Sequence, residues 1–242
     1  RAPFLALAAL SALAWGVAWR VVPPLDGHLR GRERRNPVAQ LRAIFGVRNH
    51  LRAFAFMIAL MTSVFMVVPF FAAYHGANVG LAETDLPYVY FAGALMSLFS
   101  AQVIGRLADR YGKKRLFTIL AVISVVPLLV VTHLPPVPLA HVLAVTVVFF
   151  VFVTGRFGPA MALVSGSVAP PLRGSFMSFN GAIQQLGSGV ASLVAGLIIG
   201  RAADGSLTRY GWAGWCAVAA TVVAIFLAHR IRIVPDGSGG PD

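Results

Sequence analysis

Residues 105–115 read Gly-Arg-Leu-Ala-Asp-Arg-Tyr-Gly-Lys-Lys-Arg, with one acid among five bases. A lone carboxylate in such a setting has two uses. Asp109 can cap the positive N-terminus of a helix, and it can pair with arginines. Gly112 permits a positive backbone angle and Gly105 lets a helix end approach a neighbour, so the segment reads as a tight turn between two helices. A bare alternative is a basic loop that only serves topology. Further polar residues stand inside apolar stretches: Gln102, Arg156, Asn180, Gln184 and Ser188. Polar groups at membrane depth are costly, so each needs a partner or a polar cavity.

Arg156 stands in Gly155-Arg156-Phe157-Gly158-Pro159. Pro159 removes a backbone donor and clashes one turn back, so the helix is interrupted here. Two readings of Arg156 stand side by side. It lines a site at the interruption, or its long stem carries the charge out to the headgroups. Over 175–200, at about 100° per residue, Met177, Gly181, Gln184, Ser188, Ala191 and Ala195 share one stripe, flanked by Asn180 and Gln185. Phe179, Ile183, Leu186, Val190, Leu193 and Leu197 fall opposite and suit lipid. The small and polar face suits helix packing with interhelical hydrogen bonds, or the wall of a central cavity formed by Asn180 and Gln184. Gly93, Ser97, Ala101 and Gly105 form a small-residue ridge read as a packing face, with Gln102 beside it.

Other chemistry is excluded. The eight acids, Asp26, Glu33, Glu83, Asp85, Asp109, Asp204, Asp236 and Asp242, all fall in loops or tails. The six histidines read as loop or span-end residues, and none makes a metal-ligand pattern with Cys or an acid. Both lysines are at 113–114, so no span offers a Schiff-base lysine. No nucleotide-binding glycine loop is present. The one cysteine, Cys216, forms no intrachain disulfide. Neither an enzyme nor a cofactor or metal protein is expected.

The elements that must position these residues follow from composition. Hydrophobic residues make up 58% of the 242 and charged residues 12%, with a net charge of +12. A soluble domain carries roughly 45–50% apolar and about 25% charged residues. That difference points to an integral membrane protein and rules out disorder and nucleic-acid binding. Seven apolar runs are long enough to cross a bilayer: 3–22, 52–74, 86–107, 115–132, 139–163, 175–200 and 210–229. Pro23-Pro24, Pro135 to Pro138 and Pro170-Pro171 punctuate them, and Asp85 with Pro87 reads as a helix cap. Pro69 and Pro127 read as kinks. Ala12-Leu13-Ala14 resembles a signal cleavage site, but the apolar run continues to Val22 and a basic cluster follows, as in a stop-transfer segment. Alternating sides place 17 of the 20 basic residues on one face, leaving Arg1, Arg201 and Arg209 on the other. The positive-inside rule then puts the N-terminus outside and the C-terminus in the cytoplasm. Residues 36–48 have helical apolar spacing and read as a short amphipathic helix at the inner surface.

The loop 105–115 closely resembles the signature loop of the major facilitator superfamily, Gly-x-x-x-Asp-Arg-x-Gly-x-Lys/Arg-Lys/Arg. The match falls at Gly105, Asp109, Arg110, Gly112, Lys114 and Arg115. That superfamily has the loop between helices 2 and 3, with a degenerate copy between helices 8 and 9. The resemblance implies an all-α polytopic fold in which these spans stand for helices 6 to 12. Residues 1–22 would be helix 6, and 23–51 a cytoplasmic basic linker with the short amphipathic helix. Residues 52–232 would form the six-helix C-terminal bundle, and 233–242 a flexible tail. Residues 153–200 look like helices 10 and 11 of bacterial drug and sugar efflux members.

The resemblance further implies alternating-access transport of a small molecule in the bacterial inner membrane. The chain would be a C-terminal portion partnered by a missing N-terminal bundle. Any proton-coupling residue would lie in that other bundle. In the family this Asp latches the cytoplasmic side, so Asp109 is expected to cap the 174–176 helix start with Arg110 and Arg173 nearby. A non-transporting seven-span receptor or an inactive truncated product are the alternatives.

Overall fold

The computed structural model describes residues 2–21 and 37–234. The chain divides into two units, residues 1–42 and 43–242. Of the linker expected at 23–51, residues 23–36 lie outside the described residues, as do 235–242 of the tail expected at 233–242. In the first unit, α1 (Ala2–Val21) is apolar on all sides, as a lipid-embedded helix must be. Its Trp15 and Trp19 rings, one turn apart, meet edge to face at 5.4 Å. Helix α2 (Pro37–Phe45) matches the short helix expected there, and its last turn belongs to the second unit.

The second unit begins with α3 (Arg48–Phe65). Its span runs on to Val79 through a 3-10 turn at Val68–Phe70, α4 (Phe71–Tyr74) and a π-helical turn at His75–Val79. Pro69, which has no N–H, sits at the break. Then come α5 (Leu86–Tyr111) and α6 (Lys113–Thr132), separated by Gly112 alone. The next span is α7 (Leu139–Gly155) and α8 (Phe157–Ser165), divided at Arg156. Helix α9 (Arg173–Ile198) follows, then a hairpin of β1 (Gly200–Arg201) and β2 (Leu207–Thr208), and α10 (Tyr210–Arg230). Among the described residues seven helical segments are long and apolar enough to cross a membrane, α1 included. The fold is all-α and polytopic, as expected.

Two turn expectations are corrected. Residues 105–111 are not a turn: α5 continues to Tyr111, closed by a bond from Gly112 N to the Ala108 carbonyl at 3.0 Å. The turn is Gly112 itself, at φ 89° and ψ 135°, a backbone conformation that L side chains rarely adopt. Asp85 precedes α5, but its side chain makes no cap hydrogen bond; its backbone carbonyl accepts from Tyr88 and Val89 instead. Pro127 lies inside an unbroken α6.

The six spans of this unit pack in two interchangeable triplets. Helix α3 packs on α9 and α10; the α7–α8 span packs on α5 and α6; α6 packs on α10. Exchanging α3 with α7–α8, α5 with α9, and α6 with α10 reproduces the same set of neighbours, the signature of an internal repeat. Apolar side chains leaving lipid for this core gain little hydrophobic free energy, so close packing and interhelical hydrogen bonds hold it. Small residues allow that closeness. A Cβ on Gly93 would meet the Phe150 ring at 2.6 Å, and one on Gly187 would meet Met61 Cβ at 3.4 Å.

Candidate functional site

The core is two apolar layers with a polar layer between them. One layer runs from Met66 and Val67 through Leu128, Val142 to Val153, Ala191 and Ala217. The other holds Phe54 to Met61, Phe117, Ala160 to Val168, Phe176 and Ala224. Between the two sets, on five of the six spans of this unit, falls a buried polar residue: Ser63, Ser124, Arg156, Ser188 or Thr221. They lie near the middle of spans 48–79, 113–132, 139–165, 170–198 and 210–230, and so at mid-membrane depth.

Arg156 is the centre of this belt and is 0% exposed. Its guanidinium Nη1 donates to Ser124 Oγ at 3.1 Å and Thr221 Oγ1 at 3.2 Å; Nη2 donates to Ser63 Oγ. Three spans are thereby tied to the break in a fourth. The charge points inward to hydroxyls, so the headgroup-reaching reading of Arg156 is not the one adopted. The break itself arises because Pro159 has no N–H, while Ala160 N still bonds the Arg156 carbonyl at 3.1 Å. No described acid lies in the belt, so neutral dipoles alone solvate the cation. Its Nε has no hydrogen-bond partner.

Asn180 is likewise buried. Its Nδ2 lies 4.0 Å from Met161 Sδ, and Gln184 Nε2 lies 3.8 Å from the same sulfur. Thioether sulfur is a weak acceptor, and Asn180 Oδ1 has no partner. Ser188 donates to the Gln184 carbonyl at 2.7 Å. Asn180 and Gln184 are thus brought together on Met161 of α8, with Ser188 one turn further along α9. The α9 face is rotated from the expected stripe: Phe176, Asn180, Gly187, Ser188, Ala191 and Ala195 are buried, while Gly181 is exposed. Close approach of Gly187 to α3 fixes that rotation. Leu186, Val190, Leu193 and Leu197 are exposed, but Phe179 and Ile183 pack against the core.

The signature-loop residues take separate places. Asp109 and Gly105 line a cavity of about 260 Å³ with Lys113, Ser97, Ala101, Gly158 and Pro159. Nothing lies within 4 Å of a Cβ on Gly105, so Gly105 opens this cavity and does not serve close approach. Of the expected ridge, Gly93 packs on α7 while Ser97, Ala101 and Gly105 border the cavity. Arg110 lies over the Tyr111 ring at 5.4 Å. Lys114 donates to the carbonyls of His229 and Ile231 at 3.3 and 3.0 Å. Arg115 and Gln102 are exposed. Arg173 opens α9, half-buried.

Ser63, Ser124, Thr221 and Met161 were missed by sequence reasoning. Their one signal is position, a single hydroxyl near the midpoint of an apolar run. Of the six histidines read as loop or span-end residues, two are corrected to buried positions within the helical span. His50 and His75 are buried, and His75 stacks on Phe71 at 3.9 Å with Nδ1 against the Phe71 carbonyl. Each finds a backbone carbonyl close by in sequence, His50 that of Ile44 in α2 and His75 that of Phe71, so its buried Nδ1 is satisfied.

Spanning helices in repeated triplets, with a polar belt at a helix break, define an integral membrane protein of the transporter class. The model of the Major Facilitator Superfamily matches residues 1–192 and 78–240 of this chain, and the chain belongs to that superfamily. It is a membrane transporter, with a small-molecule substrate and lipid as its surroundings. No curated protein and no solved structure gave a match.

Proposed function

We propose that this chain is part of a secondary active efflux transporter for drugs, sugars or small metabolites, coupled to protons and working by alternating access in a bacterial inner membrane. The carrying observation is the belt around Arg156, a charge solvated by three hydroxyls at an interrupted helix. Asn180, Gln184 and Ser188 would present neutral polar groups to the substrate, and Gln102 would reach it from α5. A second bundle would rock against α5 and α9, the least buried spans of the second unit; Phe91 is 66% and Leu197 76% exposed. Asp109, expected in a loop, is the one carboxylate within a described span and stands in the last turn of α5, away from the mid-membrane belt, so the proton site would be on that second bundle. The direction of transport follows the resemblance read in residues 153–200 to efflux members.

The test is accumulation of labelled drugs and sugars in cells expressing the intact gene, with and without a collapsed proton gradient. Efflux that stops when the gradient collapses is expected; efflux indifferent to it would remove proton coupling. Asp109 would act as a cytoplasmic latch when α5 approaches the 174–176 helix start, with Arg110 and Arg173 as charge partners. Asp109→Asn is expected to lower cross-linking between the cytoplasmic ends that the latch holds together. Unchanged gating and transport would sink the latch.

A further inference from the structure

The basic end of the bundle holds a second site that the transport reading does not use. A cavity of about 660 Å³ is bounded by Arg52, Lys114, His229, Arg230, Arg232 and Ile233. Three spans converge there: the first turns of α3 and α6 and the last turn of α10. Four of the bounding groups carry full positive charge, and no described acid lines the cavity. Asp109, the nearest acid in sequence to Lys114, lines the other cavity with Lys113.

Part of this charge has a structural use. Lys114 and Arg52 donate to the last carbonyls of α10 and just beyond, Arg52 to the Arg230 carbonyl at 3.5 Å. That offsets the negative end of a helix, worth about half a charge. Half a charge cannot balance four. Spare donors remain as well: Lys114 has used two of three N–H bonds, and Arg52 one of five. Arg230 is held over the Phe226 ring at 4.8 Å, and His229 is held by Thr118 at 3.2 Å, so the cations are positioned before any ligand arrives. Asn49 fixes the far wall by accepting from Arg232 N at 2.9 Å and donating to its carbonyl at 2.8 Å.

We propose that this cavity binds a phosphate anion, supplied either by the headgroup of an anionic lipid or as free phosphate. Arginine suits it through paired donors to phosphate oxygens. The ends of three spans sit at headgroup depth, and exposed Ile233 beside the cations would lie along a lipid's glycerol and upper chain.

The test uses the full chain in nanodiscs, with Arg230→Gln/Arg232→Gln as the variant, because neither of those side chains caps α10. Retention of cardiolipin after release from phosphatidylcholine–cardiolipin discs is read by native mass spectrometry. The double variant is expected to bind it on the order of thirtyfold more weakly, and wild-type retention is expected to fall as salt rises. Inorganic phosphate titrated into discs of phosphatidylcholine alone distinguishes the source. A phosphate-dependent rise in melting temperature, absent in the variant, assigns the site to free phosphate. Equal cardiolipin retention in both proteins with no phosphate effect overturns the proposal. So does salt-independent retention by wild type, which keeps the test decisive even if the variant fails to fold.

Discussion

Arg156 offers five donors in a fixed fork and finds three hydroxyls but no carboxylate. Each hydroxyl of α6 and α10 also has a carbonyl of its own: Ser124 donates to Ala121 at 2.8 Å and Thr221 to Ala217 at 2.9 Å. Their lone pairs are therefore free to accept from the guanidinium, and removing Arg156 would not orphan them. Two substitutions separate stability from function. Arg156→Met keeps the stem and removes the charge; exchanges of buried ionic groups for apolar ones are often neutral or stabilising by about 1–4 kcal/mol. The variant is expected to melt in detergent no lower than the parent and to lose transport. Arg156→Ala leaves a hole and is expected to cost about 2–5 kcal/mol. Normal transport by a stable Arg156→Met protein would show that the belt is packing only.

At the scale of elements, helix approach is set by glycines that the sequence does not rank. Gly93 and Gly189 are both helical, yet only Gly93 is crowded, by Phe150; nothing lies within 4 Å of a Cβ on Gly189. Gly93→Val is expected to lower stability by about 1–3 kcal/mol through overpacking. Gly189→Ala is expected to be neutral or to gain up to about 1 kcal/mol from helix propensity. Thermal unfolding of the two variants checks this, and a reversed order would mean that α5 and α7 pack differently. The hairpin before α10 carries a pH dependence of known sign. Asp204 accepts from the Ser206 hydroxyl at 2.7 Å and from Ser206 N at 3.0 Å, and these bonds hold its carboxyl below the usual range. A lowered native pKa gives stability that is present above the unfolded value near 3.9 and lost as pH falls through the folded one. Amide exchange in 200–208 is expected to rise beyond its intrinsic trend only in strong acid, and Asp204→Asn is expected to remove that step.

The whole molecule is ordered by charge and by repetition. With Arg156 drawn into the belt, the positive-inside reading rests on 16 of the 20 basic residues falling on one side. Orientation is tested in a Cys216→Ser background with single cysteines at 113 or 204. A membrane-impermeant thiol reagent applied to intact cells is expected to label position 204 and not 113; the opposite pattern would invert the topology. The repeated triplets also explain why α5 and α9 are the least buried spans of the second unit. Each packs chiefly along one neighbour, α7 and α3 respectively, and keeps its other face open.

The sequence by itself determined the class, the span count and the turn at Gly112. Those properties are local: a bilayer demands about 20 apolar residues per helix with its backbone bonds satisfied within the segment. Residues 105–115 also carried enough spacing to indicate the family. Only the tertiary structure decided which face of each helix meets another. Ser63, Ser124 and Thr221 look inert in apolar runs, because a hydroxyl can satisfy itself on its own helix. Packing of four spans around the break at Arg156 turns them into one belt. The same holds at the basic end, where Arg52, Lys114 and Arg230 are remote in sequence. They share a cavity because α3, α6 and α10 end together.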